Sequence, residues 1–371
     1  MTEDYGVHLT SEEETRVDEI CKKIRKRVAS EQITPRERFE AVYRGETPDR
    51  IPIQVCAIGL HAASNYGVTT SDLYSDPKIA LFAYLTHLER FGYDTLSAFR
   101  FSAGEKEFGA KMVYSDHGVP FVNESILDTA ADLGKVKIPD VRKDGTLPWQ
   151  LWMLGILKKK LGDIMPIFGF MPIPGAIGPV IMPMDKQFLA LRKDPVLAHC
   201  VAALVMKFTI DYGTAMFEAG ADMIYIVGVD DQVSYAMHRQ FEFPYVCGLV
   251  KSLPCPCFII GAGDWSHVLE SYAEAGVQGF FLHSGQPTPL EKAKEVAMSH
   301  KLTLRYGISN NLLVHGPVDK IRNEVKRLIQ QGWPGGRFVL ATDGLDINTP
   351  AEHLDVFVEA AKEYGKFPLK I

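Results

Sequence analysis

The sequence has no excess of positive charge: 40 Lys and Arg residues stand against 46 Asp and Glu, a net charge of -6 at pH 7. A protein that neutralises nucleic-acid phosphates needs a basic surface, so we expect no nucleic-acid partner. Cysteine is also scarce, and six in 371 residues are too few for a disulfide framework. This cysteine usage is typical of a reducing compartment, and we expect a cytoplasmic protein.

We also expect neither a membrane helix nor a signal peptide from the hydrophobicity of the sequence. The N-terminus, MTEDYGVHLT, is acidic and has no apolar core of the kind a signal peptide carries. The long uncharged run at 164–184 has the length of a membrane helix, but it contains five prolines. Because each proline removes a backbone donor and clashes with the preceding turn, an unbroken helix is excluded there. We expect a buried strand followed by an apolar loop, and no membrane segment.

Eight short apolar runs alternate with helical patterns along the chain, and such runs are typical of buried parallel strands. The alternation predicts βαβ units, and eight strands predict an α/β fold of the (β/α)8 TIM-barrel type. No GxGxxG motif or P-loop is present, which argues against a dinucleotide-binding fold. The predicted strands are 51–57, 93–99, 164–170, 222–229, 257–262, 278–283, 302–307 and 337–342.

Two segments depart from this repeat. Residues 1–33 are predicted to be an N-terminal helical extension, whose helix starts with a capping box at Thr10–Glu13. The TIM-barrel catalytic domain is then 34–371. Between the second and third strands, 111–126 alternates like a β-hairpin around a turn at Asp116, and we expect this insertion to cover the barrel mouth. The extension is a candidate surface for a homodimer.

Polar residues follow the predicted strands at the end where a TIM barrel carries its active site. Asp230, His283 and Asp343 directly end the fourth, sixth and eighth strands. Each also has a structural interpretation as a helix cap or a solvated loop residue. Carboxylates with an imidazole can bind zinc with an open position for substrate, and they suit general acid–base catalysis equally. We predict that these three residues are catalytic, and that they are the metal ligands if zinc is present.

Further residues near the strand ends are predicted to bind the substrate. Met171 begins a Met- and Pro-rich stretch that is either an apolar surface for a ligand or partner, or core packing. Capping is the alternative interpretation for Asp231. The full set is His61, Arg100, Met171, Asp231 and Asn310.

Several motifs occur in a characteristic order along the chain. They are Arg36–Phe39 with Arg44–Pro52, Glu89–Asp94, Phe217–Asp222, Leu269–Gly276, Gly332–Phe338 and Asn348–Pro350. In this order they resemble the uroporphyrinogen decarboxylase superfamily, over about residues 34–366. The resemblance implies a TIM barrel and one of two activities. One is tetrapyrrole decarboxylation, and the other is corrinoid-dependent transfer of methyl groups between small donors, coenzyme M and a cobalt cofactor on a partner protein.

Two departures from the family patterns decide between its branches. The decarboxylases carry an Arg-rich segment after the first strand, whereas 56–64 contains no arginine here. The coenzyme M methyltransferases carry His-x-Cys ligands after the fifth strand, where this chain has Ile260 and Ala262. The resemblance then implies the demethylating branch. It would move a methyl group from a methoxylated aromatic donor to Co(I) of a cobalamin that a partner corrinoid protein carries.

This chemistry makes one demand on the site, since an aryloxide or alkoxide is a poor leaving group. The developing negative oxygen must be neutralised by a proton or by a Lewis acid. His283 could protonate it directly, or it could hold zinc together with Asp230 and Asp343. The alternative function is a decarboxylase-like lyase acting on a carboxylated substrate, for which Arg100 and Arg305 would supply the cations.

Overall fold

Ten β-strands are present in a computed structural model that describes residues 5–56, 59–97, 104–124, 126–127, 129–172, 181–228, 232–261 and 263–369. Eight of them form one sheet and two form a separate hairpin. The strands are β1 (Ile53–Cys56), β2 (Leu96–Ser97), β3 (Lys111–Ser115), β4 (Gly118–Glu124), β5 (Ile167–Pro172), β6 (Met223–Val227), β7 (Cys257–Ile260), β8 (Gly279–His283), β9 (Thr303–Ile308) and β10 (Phe338–Gly344).

The large sheet has the order β1-β10-β9-β8-β7-β6-β5-β2, and each of its pairings is parallel. Its two end strands are joined where they start. The Asp94 amide, two residues before β2, donates to the Ile53 carbonyl (2.9 Å), and the Asp94 carboxylate accepts from the Ile53 amide (2.8 Å). The sheet is thus a nearly closed (β/α)8 barrel, which confirms the predicted TIM-barrel fold and all eight predicted strand positions.

Helices surround the barrel and join its strands. In the described part of the chain they are α1 (Ser11–Val28), α2 (Pro35–Arg44), α3 (Leu60–Tyr66), α4 (Thr70–Ser75), α5 (Pro77–Phe91), α6 (Glu105–Phe108), α7 (Leu147–Leu161), α8 (Met184–Lys193), α9 (Pro195–Ala219), α10 (Tyr235–Phe241), α11 (Phe243–Ser252), α12 (Leu269–Ala275), α13 (Leu290–Ser299), α14 (Asn310–His315), α15 (Val318–Gly332) and α16 (Ala351–Tyr364). A 3-10 helix spans Ala130–Lys135.

Helix α9 is the one helix of the described ranges that is long and apolar enough to cross a membrane by length and composition. Half of its most apolar window is buried inside the fold, and the helix packs against β5 and α7. Core helices of globular proteins have the same composition, so this feature is weak evidence for a membrane segment.

The N-terminal extension packs onto the barrel through an amphipathic helix. The predicted capping box forms, with the Thr10 hydroxyl accepting from the Glu13 amide (3.2 Å) and the Glu13 carboxylate from the Thr10 amide (2.7 Å). Val17 and Ile24 on the buried face of α1 belong to the main hydrophobic core, and α1 contacts α5 and α7. The division of the chain at residue 34 and the homodimer stay predictions.

The predicted hairpin insertion is confirmed as β3 and β4. Its turn is fastened to the start of α4, because the Thr70 hydroxyl donates to the carbonyl oxygens of Ser115 (2.6 Å) and Gly118 (3.1 Å). Helix α4 follows the carboxyl end of β1 through α3. The hairpin therefore lies on the side of the barrel where the strands end.

Aromatic side chains fill the barrel interior. Tyr225 on β6 lies among Phe168, Phe258 and Phe281, with ring centroids 5.0 to 5.6 Å apart. Below them, Phe39 of α2 packs edge-on against Phe168. Aromatic rings at these separations fill volume well, so the lower barrel is a packed core rather than a channel.

Buried charges hold the amino-terminal end of the barrel together. Arg38 has no exposed surface, and its guanidinium donates to Asp49 (2.7 and 2.8 Å), Asp94 (2.9 Å) and Glu31 (2.8 Å). Arg50 donates to both oxygens of Asp94 (2.5 and 2.7 Å). Burial alone would raise the pKa of Asp94, but the two arginines outweigh it and lower that pKa to about 2.

Two buried histidines form a hydrogen-bonded chain between α3, α5 and the start of α16. The Thr349 carbonyl can only accept, so His61 donates to it through Nε2 (3.1 Å). His61 Nδ1 then accepts from His87 Nε2 (2.8 Å), and His87 Nδ1 accepts from the Tyr93 hydroxyl (3.0 Å). Each ring is thus neutral, with one fixed tautomer.

Replacing Arg38 should destabilise the whole barrel. Arg38→Met removes one of the two arginines that pair with Glu31 and Asp94 and leaves Asp49 without its guanidinium partner, and broken buried pairs cost about 3–5 kcal/mol in the free energy of unfolding. Urea unfolding at pH 7 measures this difference. The control is Arg44→Met, which removes an exposed arginine of the same helix and should leave the midpoint unchanged. A loss below about 1 kcal/mol for Arg38→Met would contradict the role of the charge cluster.

The histidine chain should make stability depend on pH. Burial lowers the pKa of His87 well below its usual value and also lowers that of His61, whereas unfolded histidines titrate near 6.5. The unfolded chain therefore binds more protons, and the stabilisation present above pH 6.5 is lost as the pH falls below it. Unfolding free energies between pH 7.5 and 5 should fall less steeply in His61→Gln/His87→Gln than in the wild type. Equal slopes would contradict the assignment.

Candidate active site

The mouth of the barrel is apolar on one side and polar on the other. Side chains alternate along a strand, so the inward-facing residues near the mouth can be identified from the interior core. On β5, β6 and β7 they are the half-buried Phe170, Val227 and Ile260. On β8 and β10 they are the half-buried His283 and Asp343.

His283 and Asp343 meet across the mouth, with Nε2 of the imidazole 3.4 Å from Oδ2 of the carboxylate. Their strands are separated by β9, where Gly307 pairs with His283. A side chain at position 307 would come within 2.8 Å of the Thr342 backbone and 3.1 Å of the Asp343 amide nitrogen. The glycine therefore lets the backbone of β10 approach closely beneath the pair. This residue was not predicted, although a glycine inside an apolar strand is the signal for such a close approach.

The imidazole of His283 is neutral at neutral pH. Burial lowers its pKa, the Asp343 carboxylate opposes that shift, and the charge of Arg305 adds to it. Nε2 faces the carboxylate and carries the proton in the favourable tautomer, while the buried Nδ1 has no hydrogen-bond partner in the described ranges. Asp343 is held by its other oxygen, which accepts from the Gly344 amide (2.7 Å). The pair is therefore held in one orientation, and within the described ranges Nδ1 of His283 can still accept a hydrogen bond.

A buried cation lies one layer below the pair. Arg305 on β9 stands two residues before Gly307, which corresponds to about 7 Å along the strand. Its Nη2 donates to the Thr342 carbonyl (3.0 Å), and its guanidinium lies over the ring of Phe281. Burial lowers the pKa of Arg305 to about 10, so the group stays charged at neutral pH. From the sequence, Arg305 was predicted to bind substrate only if the protein is a lyase.

Asn310 lies at the rim, and an unpredicted glutamine lies there with it. The Asn310 amide donates to the Gly344 carbonyl at the end of β10, and the Gln286 amide donates to the Gly261 carbonyl just after β7. Both side-chain oxygens are buried and have no partner in the described part of the chain. These amides tie neighbouring strand ends together. The proposal that Asn310 binds substrate is compatible with its place at the rim.

Two predicted substrate-binding residues do not reach the mouth. His61 is buried in the histidine chain, where both of its ring nitrogens bond to protein groups. Met171 has no exposed surface and belongs to the outer core, and its sulfur lies 3.3 Å from where a side chain on Gly213 of α9 would begin. Met171 faces outward because its neighbour Phe170 faces the interior. Both assignments to the substrate site are therefore corrected.

Three other predicted site residues lie outside the described ranges. Asp230 and Asp231 follow β6, and Arg100 follows β2. Their predicted roles stay predictions.

The described residues do not form a zinc site. A catalytic zinc needs three protein ligands and an open position, and no group of three His, Cys, Asp or Glu residues in the described ranges is placed to hold a metal. His283 and Asp343 supply two ligands, but the charge of Arg305 beneath them opposes a second cation. The nearby Cys56 is a neutral thiol, because burial raises its pKa to about 11. We therefore derive no step through zinc.

Known relatives of the chain include methyltransferases and decarboxylases. It is 24% identical to a methylated-thiol--coenzyme M methyltransferase of Methanosarcina mazei, over 61% of each chain. It is also 24% identical to a methylcobamide:CoM methyltransferase (MtaA) of Methanosarcina barkeri, over 90% of this chain and 99% of the relative. Bacterial uroporphyrinogen decarboxylases match at 24–29% identity.

The same fold occurs in a solved structure. A methyltransferase from Methanosarcina mazei superposes with a TM-score of 0.79 at 22% identity, covering 90% of this chain and 99% of that one. The pattern of the uroporphyrinogen decarboxylase (URO-D) family matches residues 34–364, which is most of the chain and includes β1, the mouth residues and α16. The chain belongs to the uroporphyrinogen decarboxylase (URO-D) family.

Proposed function

We propose that this chain is a corrinoid-linked methyltransferase that demethylates a methoxylated aromatic compound. The methyl acceptor is Co(I) of a corrinoid carried by a partner protein, which acts as the second substrate. The observation that carries the proposal is the division of the mouth into an apolar half on β5–β7 and a polar half on β8–β10. An aryl methyl ether has the same division, with a ring at one end and an oxygen at the other.

The apolar half suits an aromatic ring. Phe170 is half-buried and stacks on Tyr225, with centroids 5.2 Å apart and planes 27° from parallel. Val227 and Ile260 continue this surface on the next two strands. A donor ring lying here gains contact area, and offset stacking on a phenylalanine adds about 0.5–1.5 kcal/mol. The ring would thus be held with its oxygen towards the polar half.

The polar half meets the charge that develops on oxygen. When the carbon–oxygen bond breaks, its electron pair stays on oxygen, and the methyl carbon bonds to the acceptor cobalt. His283 in its protonated form is paired with Asp343 and gives its proton to that oxygen. The Asp343 carboxylate stabilises the imidazolium before the transfer and orients the ring. The products are a phenol and the methylated corrinoid.

The electrostatics favour an aryl over an alkyl ether. Because burial lowers the pKa of His283, few imidazoles carry a proton at neutral pH. A phenolic leaving group has a pKa of about 10, whereas that of water and simple alkoxides is about 16. The aryloxide therefore needs less help from a scarce proton. This difference supports a methoxylated aromatic donor rather than methanol.

Coenzyme M is the acceptor in the names of two relatives, and it is the main competing assignment within this activity. The family resemblance assigns thiol activation to a His-x-Cys pair, and the first of those positions is Ile260 in this chain. Ile260 is half-buried and packs against the apolar interior. We therefore propose methyl transfer, as in these relatives, without coenzyme M as the acceptor.

A lyase acting on a carboxylated substrate is the second candidate. The observation in its favour is Arg305, a buried cation whose Nε and Nη1 have no partner among the described residues and could bind a carboxylate. Release of carbon dioxide from a tetrapyrrole or aromatic acid, without methyl transfer to a corrinoid, would favour it. The cytoplasmic location and the homodimer remain predictions under either function.

Methyl transfer should depend on the His283–Asp343 pair. With reduced cobalamin or a corrinoid protein and a panel of methoxylated benzoates, we expect methylated corrinoid to form, as followed by its visible spectrum. His283→Ala should lower kcat about 10²–10⁴-fold, and Asp343→Asn should lower it less, because they remove the acid and its partner. The control is His300→Ala, an exposed histidine paired with Glu270 far from the mouth.

The pH profile gives the sign of the proton transfer. The kcat/KM for the donor should fall as the pH rises above the His283 pKa, which lies below 6.5. A flat profile in the wild type, or full activity in His283→Ala, would rule out the acid role. Methylation of coenzyme M in place of a corrinoid would contradict the proposal that the methyl group moves from the donor to the corrinoid.

Zinc content checks the ligand assignment. Because the charge of Arg305 beneath His283 and Asp343 opposes a bound cation, we expect far less than one zinc per chain by elemental analysis, and added zinc should leave the rate unchanged. One zinc per chain that disappears in both His283→Ala and Asp230→Ala would contradict this expectation and show that Asp230 completes a metal site.

A further inference from the structure

Two arginines of this barrel are equally buried but differ sharply in their partners. Arg38 at the amino-terminal end has 0% exposure and donates to three carboxylates. Arg305 near the mouth has 1% exposure, and among the described residues it bonds to the Thr342 carbonyl and to the Cys56 side chain, neither of which is a carboxylate. Its Nε and Nη1 have no partner in those ranges.

No carboxylate of the described ranges bonds directly to the Arg305 guanidinium. Phe281 covers one face of the guanidinium, and the nearby Tyr225 hydroxyl instead donates to Gln54 (2.9 Å). Cys56 is a thiol rather than a thiolate at neutral pH. The carboxylate that acts on Arg305 is Asp343, one layer above and already held by the Gly344 amide. The cation therefore projects positive potential towards the mouth.

We propose that Arg305 is a positioning residue that stabilises negative charge in the mouth, namely the ionised Asp343 and the aryloxide that leaves the methyl group. It does not touch the substrate. It acts through the aromatic interior, where water does not screen the field and a fixed charge acts strongly over several ångströms. This inference rests on the proposed function and deepens it, because it makes an anionic leaving group part of the recognition.

The poor pairing of Arg305 is itself an argument for this role. A buried charge with unsatisfied donors destabilises a fold, and an apolar residue of similar volume is often neutral or stabilising in its place. Groups that oppose stability in this way tend to persist at functional sites. For Arg38, by contrast, full pairing explains its burial by structure alone.

The first arm of the test compares stability between the two arginines. Arg305→Met should unfold at the same or a higher temperature than the wild type, whereas Arg38→Met should unfold at a lower temperature. A large loss of stability in Arg305→Met would overturn the inference, because it would mean that the arginine is structural. Arg305→Lys keeps the charge and serves as the conservative variant.

The second arm measures the potential without the corrinoid. We would bind 4-nitrophenol, a probe of the phenolic product whose anion absorbs at longer wavelength than the neutral form. The anion should be favoured at least tenfold more by the wild type and Arg305→Lys than by Arg305→Met, a shift of about one unit in the pKa of the bound probe. Equal ionisation in all three proteins would overturn the inference.

The third arm measures turnover. Arg305→Met should lower kcat for methyl transfer about 10²-fold or more while KM for the donor changes less than about threefold, and Arg305→Lys should recover part of kcat. Unchanged kcat would overturn the inference. If the wild type transfers no methyl group but still favours the anion of the probe, the proposed function is wrong, whereas the role of Arg305 in stabilising negative charge in the mouth is supported.

Discussion

Closure of the barrel depends on one buried carboxylate. The strand order places β1 and β2 at the two ends of the sheet, and Asp94 joins them by bonding both backbone groups of Ile53. Arg38 and Arg50 neutralise that carboxylate, and both come from the motif that carries the family resemblance. The most recognisable part of the sequence therefore forms the junction between β1 and β2 that closes the barrel. It lies at the end away from the chemistry.

Because every pairing in the eight-stranded sheet is parallel, the carboxyl ends of the strands meet at one mouth. His283 and Asp343 come from strands that are not neighbours, and they reach each other above a glycine on the strand between them. Beneath them lies the charge of Arg305, which bonds to the Thr342 carbonyl but has no carboxylate bonded to it among the described residues. The amino-terminal end thus uses paired charges for stability, whereas His283, Arg305 and Asn310 at the mouth keep polar atoms without partners in the described ranges. That contrast separates the structural from the functional half of the molecule.

Short-range patterns in the sequence predicted most of the fold. Strand positions, the hairpin and the helix start at Thr10 follow from periodicity, turn residues and capping, which act over a few neighbours. His61 could not be placed, because its partners His87 and Thr349 are distant in sequence. Met171 was wrongly predicted to line the mouth. Side chains alternate along β5, so an error of one residue exchanges the face towards the barrel interior with the face towards the helices. The sequence predicted that His283 and Asp343 lie at the same barrel mouth, but it did not predict their direct contact.

The orientation of the donor is the centre of this account, and a crystal structure with a bound methoxylated benzoate tests it most directly. The account predicts the ether oxygen within hydrogen-bond distance, about 3 Å, of the His283 imidazole. It also predicts the ring against Phe170 and Ile260. An ether oxygen directed to the β5–β7 half, or a donor bound away from the barrel mouth, would contradict it.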